Sequence, residues 1–214
     1  MITDLEAFYR IENEGLALTL RRALGKAGAV LPGVRSHDPL QLLDLACGPC
    51  REAETLIKVL RDLPRGHGQP PSPELPFVRF VGADIRAHVI DEAADRARAA
   101  DIAGAECEFL VDDCSRLSRH SALGADFDVT FLRHQNFWND PAIWRRIFAE
   151  GLAKLKDDGL LIITSYFDRE HQLAIKALEE TGAEMLSSEE NAATVLLDTP
   201  GKSSDRHVAV FRRR

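Results

Sequence analysis

A strand-length apolar run, a turn and a helix-length amphipathic stretch recur along this chain, and that alternation constrains the fold more than any other feature. Leu40–Ala46, Phe77–Ala83, Glu106–Val111, Phe127–Leu132 and Leu160–Ser165 read as strands. Between them, Arg51–Leu63, Ala87–Ala100 and Pro141–Leu155 carry helical patterns, the last with proline in its first turn, and Glu170–Thr181 follows the fifth strand. Asp157-Asp158-Gly159 predicts a turn before that strand. Ala193–Leu197 and His207–Phe211 are expected to pair as a closing hairpin. Strands joined through helices need right-handed crossovers, which give a parallel sheet covered on both faces. The expected architecture is α/β: one doubly wound, mostly parallel, seven-stranded sheet.

Ahead of it, residues 3–31 place Leu5, Phe8, Ile11, Leu16, Leu18, Leu20 and Leu24 at helical spacing, with Asp4 as a cap and a turn at Pro32-Gly33. Residues 1–39 are therefore read as an N-terminal helical cap and residues 40–214 as one α/β unit. Five prolines between Pro64 and Pro76 exclude helix and strand interior and predict a surface loop.

A length of 214 residues suits one sizeable core, and the formal net charge of -7 disfavours bulk nucleic-acid binding. Arg212, Arg213 and Arg214 form a small basic tail, read as a solvated terminus. No apolar run approaches the ~20 residues of a membrane span, and Asp4, Glu6, Glu12 and Glu14 interrupt any signal-peptide core. A cytoplasmic protein is expected, with Cys47, Cys50, Cys107 and Cys114 reduced.

The first strand runs into Leu42–Leu56, LLDLACGPCREAETL, and its centre has two readings. Cys47-Gly48-Pro49-Cys50 matches the dithiol of thioredoxin-like proteins, where a helix N-terminus lowers a thiol pKa. Against that reading, Ala46 stands where those proteins carry an aromatic residue, and no Val/Ile/Thr-Pro pair precedes a later strand in time. The other reading is a nucleotide-cofactor turn, which needs small residues where backbone approaches a ligand at the end of the first strand.

On this second reading, Leu43, Asp44, Leu45, Ala46, Cys47, Gly48, Pro49 and Cys50 resemble motif I of the class I S-adenosylmethionine-dependent methyltransferases. Further matches fall in that family's order: Phe80-Val81-Gly82-Ala83-Asp84-Ile85, then Phe109–Leu117 (FLVDDCSRL), then Phe127-Asp128-Val129, then Leu155–Leu160 (LKDDGL). The resemblance covers roughly residues 40 to 167. It implies a Rossmann-like methyltransferase fold and S-adenosyl-L-methionine as cofactor. It also implies a cofactor site built from Asp44, Ala46, Cys47, Gly48, Asp84, Ile85, Asp112, Asp113, Cys114 and Arg133. Asp84 would accept both ribose hydroxyls, and Asp113, with Asp112 as the alternative, would meet the adenine amino group. The sequence departs from the motif at its outer glycines, replaced by Ala46 and Cys50, where a Cβ narrows the space beside the ligand. Cys50 is expected to face away from it.

The loop after the fourth strand, Leu132–Asp140 (LRHQNFWND), is the most chemically loaded in the chain. His134 is a general base or a residue that shapes the pocket. Arg133 meets the cofactor, a substrate carboxylate or an acidic neighbour. Phe137 and Trp138 face a planar substrate or pack against Trp144. The Asn/Asp-Pro-Pro-Tyr/Phe tetrad used on adenine or glutamine amides is absent. Tyr166-Phe167 and Phe8-Tyr9-Arg10 are further pocket candidates. His67, His88, His120, His171 and His207 are read as loop or helix-surface residues without a role, and no metal cluster is expected. Three functions stay open: a methyltransferase acting on a small molecule, one acting on protein or RNA, and a non-catalytic binding module of the same fold. Nothing in the sequence names the acceptor or the oligomeric state.

Overall fold

The computed structural model describes residues 4–31, 38–64, 75–120 and 123–214. The Pro32-Gly33 turn, His67 and most of the proline-rich segment lie outside them. Helix α1 (Leu5–Lys26) starts where Asp4 accepts the backbone N–H of Glu6 at 3.0 Å. The sheet then builds as β1 (Leu40–Leu45), α2 (Ala53–Arg61), β2 (Val78–Asp84), α3 (Ala87–Ala100) and β3 (Ala105–Val111). After a short 3-10 helix (Cys114–Arg119) come β4 (Phe127–Leu132), α4 (Pro141–Ala153), β5 (Leu155–Ser165), α5 (Asp168–Glu180), β6 (Ala183–Glu190) and β7 (His207–Arg213). Proline opens α4 behind Asp140, whose side chain accepts the N–H of Ile143.

Seven strands form one sheet in the order β3-β2-β1-β4-β5-β7-β6. The first five are parallel, and β7 runs antiparallel to both of its neighbours. Every residue of β4 is buried, as expected for a strand covered on both faces. One face packs Leu16, Leu20 and Leu24 of α1 and Leu56, Ile57 and Leu60 of α2 onto Leu42, Phe80 and Phe131. The other packs Ile147 and Phe148 of α4 and Ala174 and Leu178 of α5 onto Leu43, Val81 and Ile163. Strand order reverses between β1 and β4, so a crevice opens beyond their carboxyl ends, the place where doubly wound sheets bind ligands.

Two expectations need correction. The partner of β7 is β6, not Ala193–Leu197, which contributes only a single bridge between Leu196 and Ser203. Strand β6 was hidden because its inward positions are polar. Ser187 donates to the carbonyl of Ala23 at 2.7 Å, and Glu189 pairs with Lys26 at 2.6 Å, so α1 satisfies groups that carry no hydrophobic alternation. Second, Asp157–Gly159 is not a free turn: β5 already begins at Leu155, with a register shift opposite Phe127 and Val129. Arg212 and Arg213 lie in β7 and pair with Glu184 and Asp157. Among the described residues no helix is long and apolar enough to cross a membrane.

Candidate cofactor and active site

The turn leaving β1 takes a left-handed backbone at every second residue: φ is 55° at Ala46, 55° at Gly48 and 46° at Cys50. Glycine adopts this region freely, whereas another residue is strained there by about 1–2 kcal/mol, so Ala46 and Cys50 hold strain that a glycine would not. The Cys50 side chain points down into the fold, where Sγ lies 3.4 Å from Oδ2 of Asp44, while Ala46 faces the crevice. At Gly48 a Cβ would come within 3.4 Å of the Arg86 guanidinium. A side chain at Gly48 would thus crowd the guanidinium that lies against the turn.

Beside it, Asp84 ends β2 almost completely buried, with the backbone N–H of Gly48 donating to its Oδ2 at 2.9 Å. Burial pushes its pKa up, but hydrogen bonds from Arg86 and Gly48 outweigh this and hold it below the usual carboxylate range. Ala46, Asp84, Ile85, Asp113, Cys114, Arg133 and His134 line a cavity of about 330 Å³, closed opposite by Ile143, Trp144 and Ile147 of α4. Ile85 is exposed at its rim. Asp113 caps the 3-10 helix by accepting the N–H and hydroxyl of Ser115, while Asp112 accepts the N–H of Asp113 and stands outside the lining. Cys47 is buried beneath the turn rather than in the cavity. A second groove, about 400 Å³, runs between α1 and α2 past Tyr9, Asn13 and Arg51. Its lining includes Glu6, Glu14 and Glu54 but neither Asp84 nor Asp113 at the strand ends.

Below the turn sits a buried ionic group that the sequence did not suggest. Arg133 reaches Asp205 through Nε at 3.1 Å and Nη2 at 2.6 Å, Glu52 at 3.0 Å and Asn13 of α1 at 3.2 Å. Burial opposes its charge, but the two carboxylates hold the guanidinium charged; burial likewise pushes Asp205 up, and the charge and hydrogen bonds of Arg133 and His134 hold it far below the normal range. Of the alternatives open for Arg133, the acidic neighbour is the one its nitrogens meet. Asp44, fully buried with Oδ1 unpartnered, is pushed well up by burial and by the charge of Glu52. Donor atoms of Asp44, Cys50 and Glu52 lie within 4.8 Å of one another, as a metal site would require, but the Arg133 charge touching Glu52 opposes a cation there.

His134 is held from three sides. Its backbone, at φ 54°, donates to Oγ1 of Thr164 at 2.9 Å, and its ring stacks on Tyr166 with centroids 3.9 Å apart. Nε2 lies 2.9 Å from Oδ1 of Asp205 and 3.1 Å from the backbone nitrogen of Asp205. Of the neighbouring aromatics, Phe137 is buried on Phe148 and packs, while Trp138 leans on Phe167 half-exposed. His171, read as a surface residue, is instead buried between Ser165 and Ser188, each 2.9 Å from a ring nitrogen, and burial lowers its pKa to about 3. Apolar neighbours on α5 hide it, with Ala174 and Leu178 one and two turns away.

Glu52, Arg86 and Asp205 are the residues of this region that sequence reasoning missed. Glu52 stands two residues beyond the Leu43–Cys50 motif and Arg86 one residue beyond Phe80–Ile85. Asp205 lies 72 residues from Arg133, in a Ser-Asp turn that carries no local sign of its partner. The thiols do not support the dithiol reading. Cys47 and Cys50 are buried, and although their mutual contact lowers Cys47, burial and the surrounding carboxylates leave both pKa values raised. Burial drives Cys114 up to about 12.

No protein-family model and no curated protein sequence matches the chain. Solved structures do. An S-adenosylmethionine-dependent methyltransferase from Clostridium acetobutylicum is 11% identical with a TM-score of 0.61, over 94% of this chain and 91% of that one. N-methyltransferase NodS from Bradyrhizobium japonicum is 14% identical with a TM-score of 0.62, over 95% and 97%. Magnesium protoporphyrin IX methyltransferase from Synechocystis, solved with its bound cofactor, is 16% identical with a TM-score of 0.60, over 100% and 86%. At these identities the likeness is one of fold, and the fold is the Rossmann-like one of class I methyltransferases.

Proposed function

We propose that this protein is an S-adenosyl-L-methionine-dependent methyltransferase acting on a small molecule. The observation that carries the reading is the left-handed turn at Gly48, placed at the strand-order switch and tied by its N–H to the buried carboxylate of Asp84. The donor set fits such a cofactor. Asp84 suits a pair of ribose hydroxyls, with Ile85 against the adenine and Asp113 rather than Asp112 at its amino group, since only Asp113 faces the cavity. Ala46, Gly48 and Cys114 line the path of the chain carrying the sulfonium, with Asp44 and Cys47 supporting the turn from beneath. Two carboxylates, Asp205 and Glu52, face the single guanidinium of Arg133 under the turn, an acidic excess that suits a cationic ligand. The bound cofactor supplies an electrophilic methyl group. The chain supplies position and, through His134, a base.

A small acceptor suits a cavity of about 330 Å³ walled by α4, and an acidic chain. The N-terminal segment, residues 1–39, serves as a cap over the 40–214 unit: Asn13 of α1 donates to the carbonyl of Arg51 at 2.8 Å and touches Arg133. The four unbridged cysteines fit a reducing, cytoplasmic setting. Titration calorimetry with S-adenosylmethionine and with its demethylated product tests the reading. Saturable one-to-one binding of both is expected, and heat of dilution alone would sink it.

A further inference from the structure

Asp84 is saturated by the protein itself. A carboxylate offers about four acceptor positions. On Oδ1 they are taken by the backbone N–H of Arg86 at 2.9 Å and its Nε at 3.0 Å. On Oδ2 they are taken by the backbone N–H of Gly48 at 2.9 Å and Nη2 of Arg86 at 3.1 Å. The two backbone donors are fixed by the turn and by the start of α3. The two side-chain donors belong to a guanidinium whose side chain is 55% exposed and therefore free to leave. That fork places one donor on each oxygen, which is also how a vicinal diol meets a carboxylate.

We propose that Arg86 is a built-in competitor for the ribose of the cofactor, so that the two hydroxyls enter Asp84 only in a one-for-one exchange with Nε and Nη2. This rests on the cofactor reading above and makes Arg86 the residue that sets how tightly the cofactor binds. The exchange is nearly neutral in hydrogen bonds, since two donors replace two. What the ligand must overcome is the charge of the Arg86–Asp84 pair, a partly exposed ion pair with bidentate geometry. Removing the competitor therefore raises affinity, the opposite of what truncating a ligand-contacting arginine does. Because Arg86 lies at the surface end of the pair, salt should weaken the pair and ease the exchange.

The test is a double-mutant cycle read by calorimetry with S-adenosylhomocysteine. Arg86→Ala is expected to tighten binding by about two- to fivefold, the fold-change that a partly exposed pair is worth. In an Asp84→Ala background the same substitution should change nothing, because there is no carboxylate left to compete for. Raising the salt should tighten binding to the unsubstituted protein and not to Arg86→Ala. Unchanged or weaker binding to Arg86→Ala, beside normal binding to the unsubstituted protein, overturns the exchange alone. Absence of binding to both overturns the cofactor reading and the exchange with it. Arg86→Ser, whose loss of the same fork leaves a small polar residue, guards against a local folding defect and should behave as Arg86→Ala does.

Discussion

Asp205 grips Arg133 with both carboxylate oxygens, at 3.1 and 2.6 Å, although the two residues are 72 positions apart and belong to the β6–β7 connection and the end of β4. The pair ties the antiparallel edge of the sheet to the loop that bears His134, and Glu52 joins it from the base of α2. Sheet, turn and the loop bearing His134 therefore share one buried ionic centre.

Removing one partner from such a centre leaves a charge buried without its counterion. Asp205→Ala should destabilise the fold by about 3–5 kcal/mol, measured by urea unfolding at neutral pH. The sign of the pH dependence follows from the depressed pKa of Asp205. Its contribution is complete above the ordinary carboxylate pKa of the unfolded chain, and it fades only as pH falls toward the folded value. Stability that is indifferent to Asp205→Ala at pH 7 would show that the centre contributes nothing.

Glu170 behaves in the opposite sense. It is buried at the start of α5, accepts the backbone N–H of Tyr166 at 3.1 Å, and burial raises its pKa to about 7; the N–H groups of Tyr166 and Phe167 and the charge of Lys202 only partly oppose this. The folded form then holds a proton that the unfolded chain releases near pH 4.5. Stability should fall by up to about 3 kcal/mol as pH rises from about 4.5 to about 7, and level off above. Glu170→Gln keeps the acceptor and removes the titration, so its unfolding free energy should lack that fall. A parallel pH profile in both proteins would refute the assignment.

Much of this fold was legible because its parallel strands are buried on both faces and read as plain apolar runs, β4 being the clearest. The turn at Gly48 and the carboxylate of Asp84 were legible too, the first from small residues at a strand end and the second from the family resemblance. What escaped were elements whose identity depends on distant partners. Strand β6 buries Ser187 and Glu189 against α1, and Asp205 acquires its meaning only from Arg133. The Arg86–Asp84 fork was likewise invisible, because a guanidinium two residues past an acid reads as surface until the geometry puts both nitrogens on that acid.

The cysteines give a further check. Cys47, Cys50 and Cys114 are buried and their pKa values raised, so a thiol reagent at pH 7 should leave them unlabelled in the folded protein and label them on unfolding. Cys50→Gly removes a strained left-handed side chain together with its Asp44 contact. Cofactor affinity should hold or improve. Rapid labelling of native Cys47, with disulfide-reducing activity, would revive the dithiol reading.

The last prediction concerns His134. Its left-handed backbone, its stack on Tyr166 and its contact with Asp205 fix the ring at the cavity wall with Nε2 turned to the carboxylate. Nδ1 is left without a hydrogen bond among the described residues; Nε2 either accepts the backbone N–H of Asp205 or donates to its carboxylate, and the second tautomer is the one that frees Nδ1 to act as a base. His134→Asn is the informative variant, because asparagine tolerates the left-handed region and keeps the backbone bond to Thr164. It should bind S-adenosylhomocysteine within about threefold of the unsubstituted protein while losing roughly 10²–10⁴ in turnover on an acceptor that must shed a proton. His134→Val adds a branched side chain where φ is 54° and should unfold about 1–2 kcal/mol sooner, which separates strain from chemistry. If affinity and turnover instead fall together in His134→Asn, the ring shapes the pocket and the base lies elsewhere.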